Sequence, residues 1–251
     1  METEVYDHFY RAEDGHWWFR GRRRIIGSVL ERLAPGGGLR VADVGCGTGG
    51  MMGLLSRFGT VTGVDEAPEA REYCRRRGFE RVLSLKEWDA KEERYDLVTA
   101  FDVVEHVDDD VGFLRRLVGR LAPGGRMLVT VPAYPFLWST FDEMNHHRRR
   151  YTRARLVRAM REAGVGVDRA THFNTILFPP IAAVRGAEKV LKRDPTDPEE
   201  KRKALERWFR VGPLNGILEA VFASERHWLR RADLGWGCSI LALGRPESRP
   251  G

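Results

Sequence analysis

The stretch VADVGCGTGG, Val41 to Gly50, runs from a short apolar segment straight into a loop of four glycines and a threonine. A loop of this kind follows a buried strand for one of two reasons. Either the backbone turns where a Cβ does not fit, or a ligand lies flat against bare peptide groups. A turn alone would leave Asp65, at the end of the next apolar run, as a coincidence.

The pattern around the loop repeats down the chain. LRVADV, TVTGVD (Thr60 to Asp65), RVLSL, YDLVTAF and RMLVTVP (Arg126 to Pro132) read as strands one to five, VGVDRATHF as strand six, and CSILALGRP (Cys238 to Pro246) as the last. Helical patterns fall between them near Gly50 to Phe58, in APEAREYCRRRG, in VDDDVGFLRRLVGRL and in TRARLVRAMREAG. Strands alternating with helices at this pitch imply an α/β fold with a parallel sheet covered on both faces. Residues 1–35 read as helical, with apolar positions at helical spacing from Trp18 through Leu33 and a break at APGGG. Before the last strand lies a charged, proline-punctuated, helical segment.

Composition sets limits. With 251 residues, 42% hydrophobic and 31% charged, the chain suits one globular domain with an appendage. METEVYDHFY lacks the apolar core of a secretory signal. FNTILFPPIAAV, with its two prolines, is shorter than the roughly 20 apolar residues a spanning helix needs. Cys46, Cys74 and Cys238 form no CxxC pair, which argues against a disulfide framework or zinc cluster and for a cytoplasmic location. A net charge of +6 permits an acidic substrate or an anionic surface without demanding nucleic acid.

Two ligands fit the glycine loop. Gly45-x-Gly47-x-x-Gly50 matches the dinucleotide fingerprint, and Gly45-x-Gly47-x-Gly49 matches the adenosylmethionine turn. Asp43, inside the strand, suits a cationic amino group better than a pyrophosphate. Asp65 is placed to accept two ribose hydroxyls and serves either ligand.

In this order, VADVGCGTGG, VTGVDEAPEA, YDLVTAFDVVEHV and LAPGGRMLVTVPAY resemble the class I S-adenosylmethionine-dependent methyltransferases, and among them the group related to ubiquinone and menaquinone biosynthesis. The resemblance covers about residues 39–132. It implies a Rossmann-like, seven-stranded, mostly parallel sheet with helices on both faces and an antiparallel last strand. The expected organisation is an N-terminal helical lid at 1–38, a core at 39–175 completed by a strand at 237–246, and a helical insertion at 176–236. Carried over, Asp43, Gly45, Cys46, Gly47 and Gly49 would hold the methionine part of S-adenosylmethionine and Asp65 its ribose. Glu66, Ser84 and Leu85 would flank the adenine, while Phe101 and Asp102 would line the methyl-donor cavity. The family often has an acid where Ser84 stands.

Chemistry has two candidate centres. His106, in VVEHV after strand four, has an ordinary pKa of about 6.5 that suits a general base; the alternative is a structural role. Glu105 is expected to face the fold. The second centre is AYPFLWSTFDEMNHHRRRYT, Ala133 to Thr152, which follows strand five at the same end of the sheet. Tyr134, Phe136, Trp138 and Phe141 could wall a substrate pocket, His147 offers a base, Arg149 and Arg150 could grip an anion, and Tyr151 is a further candidate to meet the substrate. Asp142, His146 and His147 could in principle ligate a metal, but three crowded donors in a loop are weak support, and none is expected. In HWWFRGRRR, three adjacent aromatics cannot all hide on one helix face, so Trp18 and Arg20 are candidates to meet a ligand. The insertion, with Val184 and Trp208 among basic residues, could rest on an anionic membrane or simply cover its own domain.

The reading is an S-adenosylmethionine-dependent methyltransferase acting on an O, N or C atom of a small molecule, with an anionic, natural-product or lipid- or glycan-linked acceptor in view. One rival is an NAD(P)-dependent oxidoreductase, which lacks an evident Tyr-x-x-x-Lys. The other is a non-catalytic cofactor-binding module, against which the DVVEH segment speaks.

Overall fold

The computed structural model describes residues 3–191 and 197–247. In chain order the elements are α1 (Thr3–Ala12), α2 (Trp17–Leu33), β1 (Leu39–Val44), α3 (Met52–Leu55), β2 (Gly59–Val64), α4 (Pro68–Arg76), β3 (Val82–Leu83), α5 (Leu85–Ala90), β4 (Tyr95–Phe101) and α6 (Asp110–Val118). There follow β5 (Leu121–Pro132), α7 (Thr140–Met144), α8 (Arg153–Glu162), β6 (Val165–Phe173), α9 (Phe178–Val190), α10 (Pro198–Phe209), α11 (Asn215–Ser224), α12 (Arg226–Leu229) and β7 (Ser239–Pro246).

The strands form one seven-stranded sheet in the order β3-β2-β1-β4-β5-β7-β6. β1 pairs in parallel with both β2 and β4, and β7 runs antiparallel to β5 and β6. After β1 the chain moves outward to β2 and β3, then returns to lay β4 on the opposite side of β1. The first loops of the two directions therefore diverge at the carboxyl ends of β1 and β4, and a crevice opens there.

The two faces of the sheet are covered separately. Ala42 and Val98 face an apolar cluster with Leu114 of α6 and Leu156 and Met160 of α8. Their neighbours Val41 and Leu97 face the other cluster, with Ile25, Ile26 and Leu30 of α2, Leu55 of α3 and Phe222 of α11. The period-two alternation of the strands thus feeds two cores at once. A third cluster of Ala12, Phe19, Leu205 and Phe209 ties α1, α2 and α10 together beside the crevice.

Several boundaries differ from the sequence reading. The helix expected over 1–35 is broken at residues 13–16, where the His16 ring accepts a hydrogen bond from the Trp18 N–H at 3.3 Å and starts α2 afresh. The strand expected in RVLSL stops at Leu83. Ser84 caps α5 instead, with its hydroxyl accepting from Glu87 N–H while the Glu87 carboxylate accepts from Ser84 N–H at 2.7 Å. Strand five begins at Leu121, and its register with β4 shifts between Tyr95 and Leu97. Helices α9 to α12 fill the span between β6 and β7; residues 192–196 of the expected insertion lie outside the described residues. No helix among the described residues is long and apolar enough to cross a membrane.

Candidate active site

A cavity of about 940 Å³ occupies the crevice above β1, β2 and β4. Its floor is the glycine loop. Gly45 has φ +73°, and a Cβ there would lie 2.3 Å from Val103 Cγ2, so the turn between β1 and the loop requires glycine. Gly47 is different. Its missing Cβ would meet nothing within 4 Å, so its bare backbone faces open space at the cavity wall.

The Gly47 N–H donates to Asp65 Oδ2 at 2.9 Å, and the Ala67 N–H donates to Oδ1 at 3.0 Å. Each carboxylate oxygen keeps a second lone pair for a ligand. Burial raises the Asp65 carboxyl against these stabilising bonds. Asp43 is buried in β1 and accepts from Thr99 Oγ1 at 2.7 Å. Desolvation lifts its pKa to about 6, so a cationic group placed beside it would recover the lost stabilisation. From above, Glu13 of the α1–α2 turn accepts from Thr48 Oγ1 at 2.5 Å and from Arg77 Nη2 at 3.0 Å, holding the N-terminal helices over the loop.

The other end of the cavity carries the titratable groups. Arg22 of α2 is buried, donates to Asp102 Oδ2 at 2.7 Å and to Thr130 Oγ1 at 3.0 Å, and sits 4.9 Å from the Trp18 ring centroid. Asp102 takes φ +56°, a left-handed conformation fixed by this pairing at the end of β4. Two residues on, the chain turns through Val104–His106, placing Glu105 inward and His106 at the cavity wall. Neither Glu105 oxygen has a hydrogen-bond partner among the described residues. Burial, together with the charge of Asp102, pushes its carboxyl well above the usual range. Burial, with His147 nearby, lowers His106 to about 4, so the ring is neutral at ordinary pH.

His147 faces His106 edge-on, with ring centroids 4.7 Å apart. Its Nδ1 lies 2.8 Å from Asp142 Oδ1, which also accepts from Arg150 Nε at 2.7 Å. Asp142 Oδ2 accepts from the Ser139 N–H at 2.8 Å. Burial alone would raise Asp142, but the His147 hydrogen bond and the Arg150 charge outweigh it and hold the carboxyl well below the usual range. With a ring proton on Nδ1, toward Asp142, His147 Nε2 is left as an acceptor on a residue that lines the cavity. One donor atom each from Glu105, His106 and His147 lie within 4.8 Å of one another, a set whose composition suits a divalent ion. The set weighed from sequence, Asp142 with His146 and His147, does not assemble, because Asp142 is spent on Ser139, His147 and Arg150 while His146 is exposed.

Residues 18–169, more than half the chain, match the model of a family described as a methyltransferase domain. The chain belongs to this methyltransferase-domain family. Among curated proteins it is 35% identical over 111 residues to a ubiquinone biosynthesis O-methyltransferase of Xanthomonas axonopodis pv. citri, covering 41% of this chain and 46% of that one. It is 40% identical over 102 residues to the protein of the same description from Bradyrhizobium diazoefficiens, covering 38% and 40%. The chain therefore spans less than half the length of these relatives. Among solved structures, a Bacillus halodurans chain provisionally assigned as a methyltransferase aligns with TM-score 0.56 at 18% identity, over 88% of this chain and 99% of that one. The TehB-like SAM-dependent methyltransferase of Corynebacterium glutamicum aligns with TM-score 0.51 at 16% identity, over 90% and 88%. At such identities the likeness is one of fold, and it bears out the Rossmann-like sheet with an antiparallel β7.

Within this methyltransferase-domain fold, the cavity wall brings together Asp43, Gly45, Cys46, Gly47, Asp65, Glu66, Leu85, Phe101, Asp102, His106, His147 and Trp18 from the sequence reading. Other candidates lie elsewhere. Gly49 turns away, toward Cys74, and Ser84 is committed to its helix cap. Arg20 pairs with Glu219 at 2.9 Å. Tyr134 stacks on His172, and Trp138 is half-buried and does not line the cavity. Arg149 is held by Asp110 at 3.0 Å, and the fully buried Tyr151 hydroxyl donates to the same carboxylate at 2.7 Å. These last two form an internal clamp on Asp110 and do not line the cavity. Sequence reasoning missed Arg22, hidden in a run of arginines, and the orienting role of Asp142. Glu105 is fully buried, facing the fold as expected.

Proposed function

We propose that this chain transfers a methyl group from S-adenosylmethionine to an oxygen atom of a small, largely apolar acceptor. The observation that carries the proposal is the open backbone cradle at Gly47, joined through its N–H to Asp65, with buried Asp43 alongside. Asp43 would hold the donor's ammonium group and Asp65 its ribose hydroxyls, with Leu85 and Glu66 beside the base. A pyrophosphate in the same cradle would meet two carboxylates instead, which disfavours a nicotinamide cofactor. When bound, the donor supplies an electrophilic methyl group on a sulfonium.

The chain's part is alignment, dehydration and proton removal. Phe9, Phe141, Trp208, Ile181 and Val184 line the far side of the cavity and favour an apolar acceptor. His147 Nε2 takes the acceptor's proton, and Asp142 stabilises the imidazolium that results. His106, neutral and edge-on, keeps His147 in place. The argument that His106 itself is the base rested on an ordinary pKa, and a value of about 4 makes it a poor proton acceptor near neutrality. The curated relatives, named as O-methyltransferases, support oxygen as the acceptor atom. The free thiols, with Cys46 and Cys74 buried, accord with a reducing cytoplasm.

The test is calorimetric titration with S-adenosylhomocysteine and with NADH, followed by incubation of labelled donor with a panel of phenols and alcohols. One-site binding of S-adenosylhomocysteine and label recovered on oxygen support the reading. Binding of NADH in preference to S-adenosylhomocysteine, or label on nitrogen or carbon alone, overturns it.

A further inference from the structure

Behind the glycine loop lies a second cavity, of about 860 Å³, that the methyl-transfer reading does not use. Its long wall is one stripe of α2: Arg20, Arg23, Arg24, Gly27, Ser28 and Glu31 recur at three- and four-residue spacing. This is the arginine run that the sequence showed and the active site absorbed only at Arg22. Arg57 enters from the end of α3, and Arg226 and Arg230 enter from α12. The floor is bare, with Gly50 and Gly53 exposing backbone.

The charges do not balance. Arg20 and Arg24 share one carboxylate, Glu219, at 2.9 and 2.7 Å. Arg57 and Arg230 share Glu31, at 3.7 and 2.6 Å. Arg23 reaches Asp14 only at 3.8 Å, and Asp14 is more tightly engaged by Arg77 at 2.7 Å. Arg226 has no carboxylate partner among the described residues; its Nε donates to His227 Nε2 at 3.4 Å. With Arg77, which also lines the cavity and pairs with Glu13 at 3.0 Å, seven guanidiniums meet four carboxylates (Glu13, Asp14, Glu31 and Glu219), leaving three positive charges around one concavity. Desolvation lowers the Arg23 pKa, the response of a cation whose counter-charge is incomplete.

We propose that this cavity is a binding site for a small molecule bearing a phosphate or diphosphate group. Guanidinium forks match the oxygens of phosphate bidentately, and donors converging from three directions suit a tetrahedral anion better than a planar carboxylate. The volume lies within the usual range of small-molecule sites, roughly 300–1,000 Å³, which favours a discrete ligand over an extended charged surface. Gly50 of this cavity adjoins Glu13 of the methyl-donor crevice: Arg23 Nη1 donates to the Gly50 carbonyl at 3.4 Å, and the Glu13 carboxylate packs against the same glycine. An anion drawn to Arg23 therefore binds one residue chain away from the donor loop.

The test is calorimetric titration of the full chain with inorganic pyrophosphate, without any methyl donor, so its outcome is independent of the methyltransferase reading. One-site binding that weakens about tenfold or more in both Arg226→Gln and Arg57→Gln, and is unchanged in Arg245→Gln on the far edge of the sheet, is the expected result. Circular dichroism on each variant establishes that it is folded. A parallel arm uses vesicles containing an anionic phospholipid. No binding of pyrophosphate up to millimolar concentration, equal binding by folded variants, or binding to vesicles alone overturns the proposal.

Discussion

His147 Nδ1 lies 2.8 Å from Asp142 Oδ1, and the ring so oriented stands edge-on to His106 at the wall of the main cavity. A buried carboxylate that fixes the tautomer of a cavity-facing imidazole is the arrangement a general base requires. His147→Ala should lower the methyl-transfer kcat by about 10²–10⁴ while leaving S-adenosylhomocysteine affinity within about twofold. Asp142→Asn should retain the ring but shift the acid limb of the kcat profile. Equal kcat in wild type and His147→Ala would remove the dyad from the reaction.

Donor affinity should depend on pH through Asp43. Its folded pKa is about 6, above the ordinary 3.8, and a cationic ligand binds the ionised form. Affinity should therefore be constant above about pH 6 and fall by up to about tenfold per unit below it. Titrations of S-adenosylhomocysteine from pH 5 to 8 read this directly, and Asp43→Asn should bind weakly with no such slope.

Asp65→Ala should weaken S-adenosylhomocysteine binding by about 1–3 kcal/mol, because it removes both the ligand's acceptor and the brace on the Gly47 N–H. An unchanged dissociation constant would refute the ribose role.

Much of this arrangement was legible in the chain itself. The glycine loop, the acid after β2 and the strand–helix alternation each follow from local rules, and they located the crevice. The acceptor side was not legible, because its residues come from parts of the chain distant in sequence. Arg22 looks like any other arginine in RGRRR until Asp102 and Thr130 are placed beside it. Arg149 and Tyr151 looked like ligand-binding groups, yet Asp110, about 40 residues away, claims both. Ser84 reads equally well as the end of a strand or the start of a helix, and only Glu87 three residues later decides it.

Stability should respond to His106 at acid pH. The folded pKa of about 4 lies below the ordinary 6.5, so the unfolded chain binds more protons between these values. The contribution is complete above about pH 6.5 and is lost as pH falls through about 4, up to about 3 kcal/mol in all. Asp43, with its raised pKa, works in the opposite direction over much of the same window, so the wild-type curve alone is ambiguous. The difference between wild type and a His106→Gln variant in urea unfolding isolates the effect; parallel curves from pH 7 to 4 would refute it.

Gly45→Ala should destabilise the fold by about 1–3 kcal/mol, since the new methyl group would lie 2.3 Å from Val103 Cγ2 at a positive φ. Gly47→Ala strains the backbone without that collision, so its larger effect should fall on donor affinity. Chemical unfolding and calorimetry on the pair separate the two.

The hydroxyl of Thr48 is bonded to the carboxylate of Glu13, so the roof of the crevice is latched to its own floor. Arg77 holds the same carboxylate, so lifting the roof from the loop means parting Glu13 from both partners. The segment that joins α1 to α2 is thereby fastened to the loop after β1 and to Arg77, the residue that follows α4, through a single side chain.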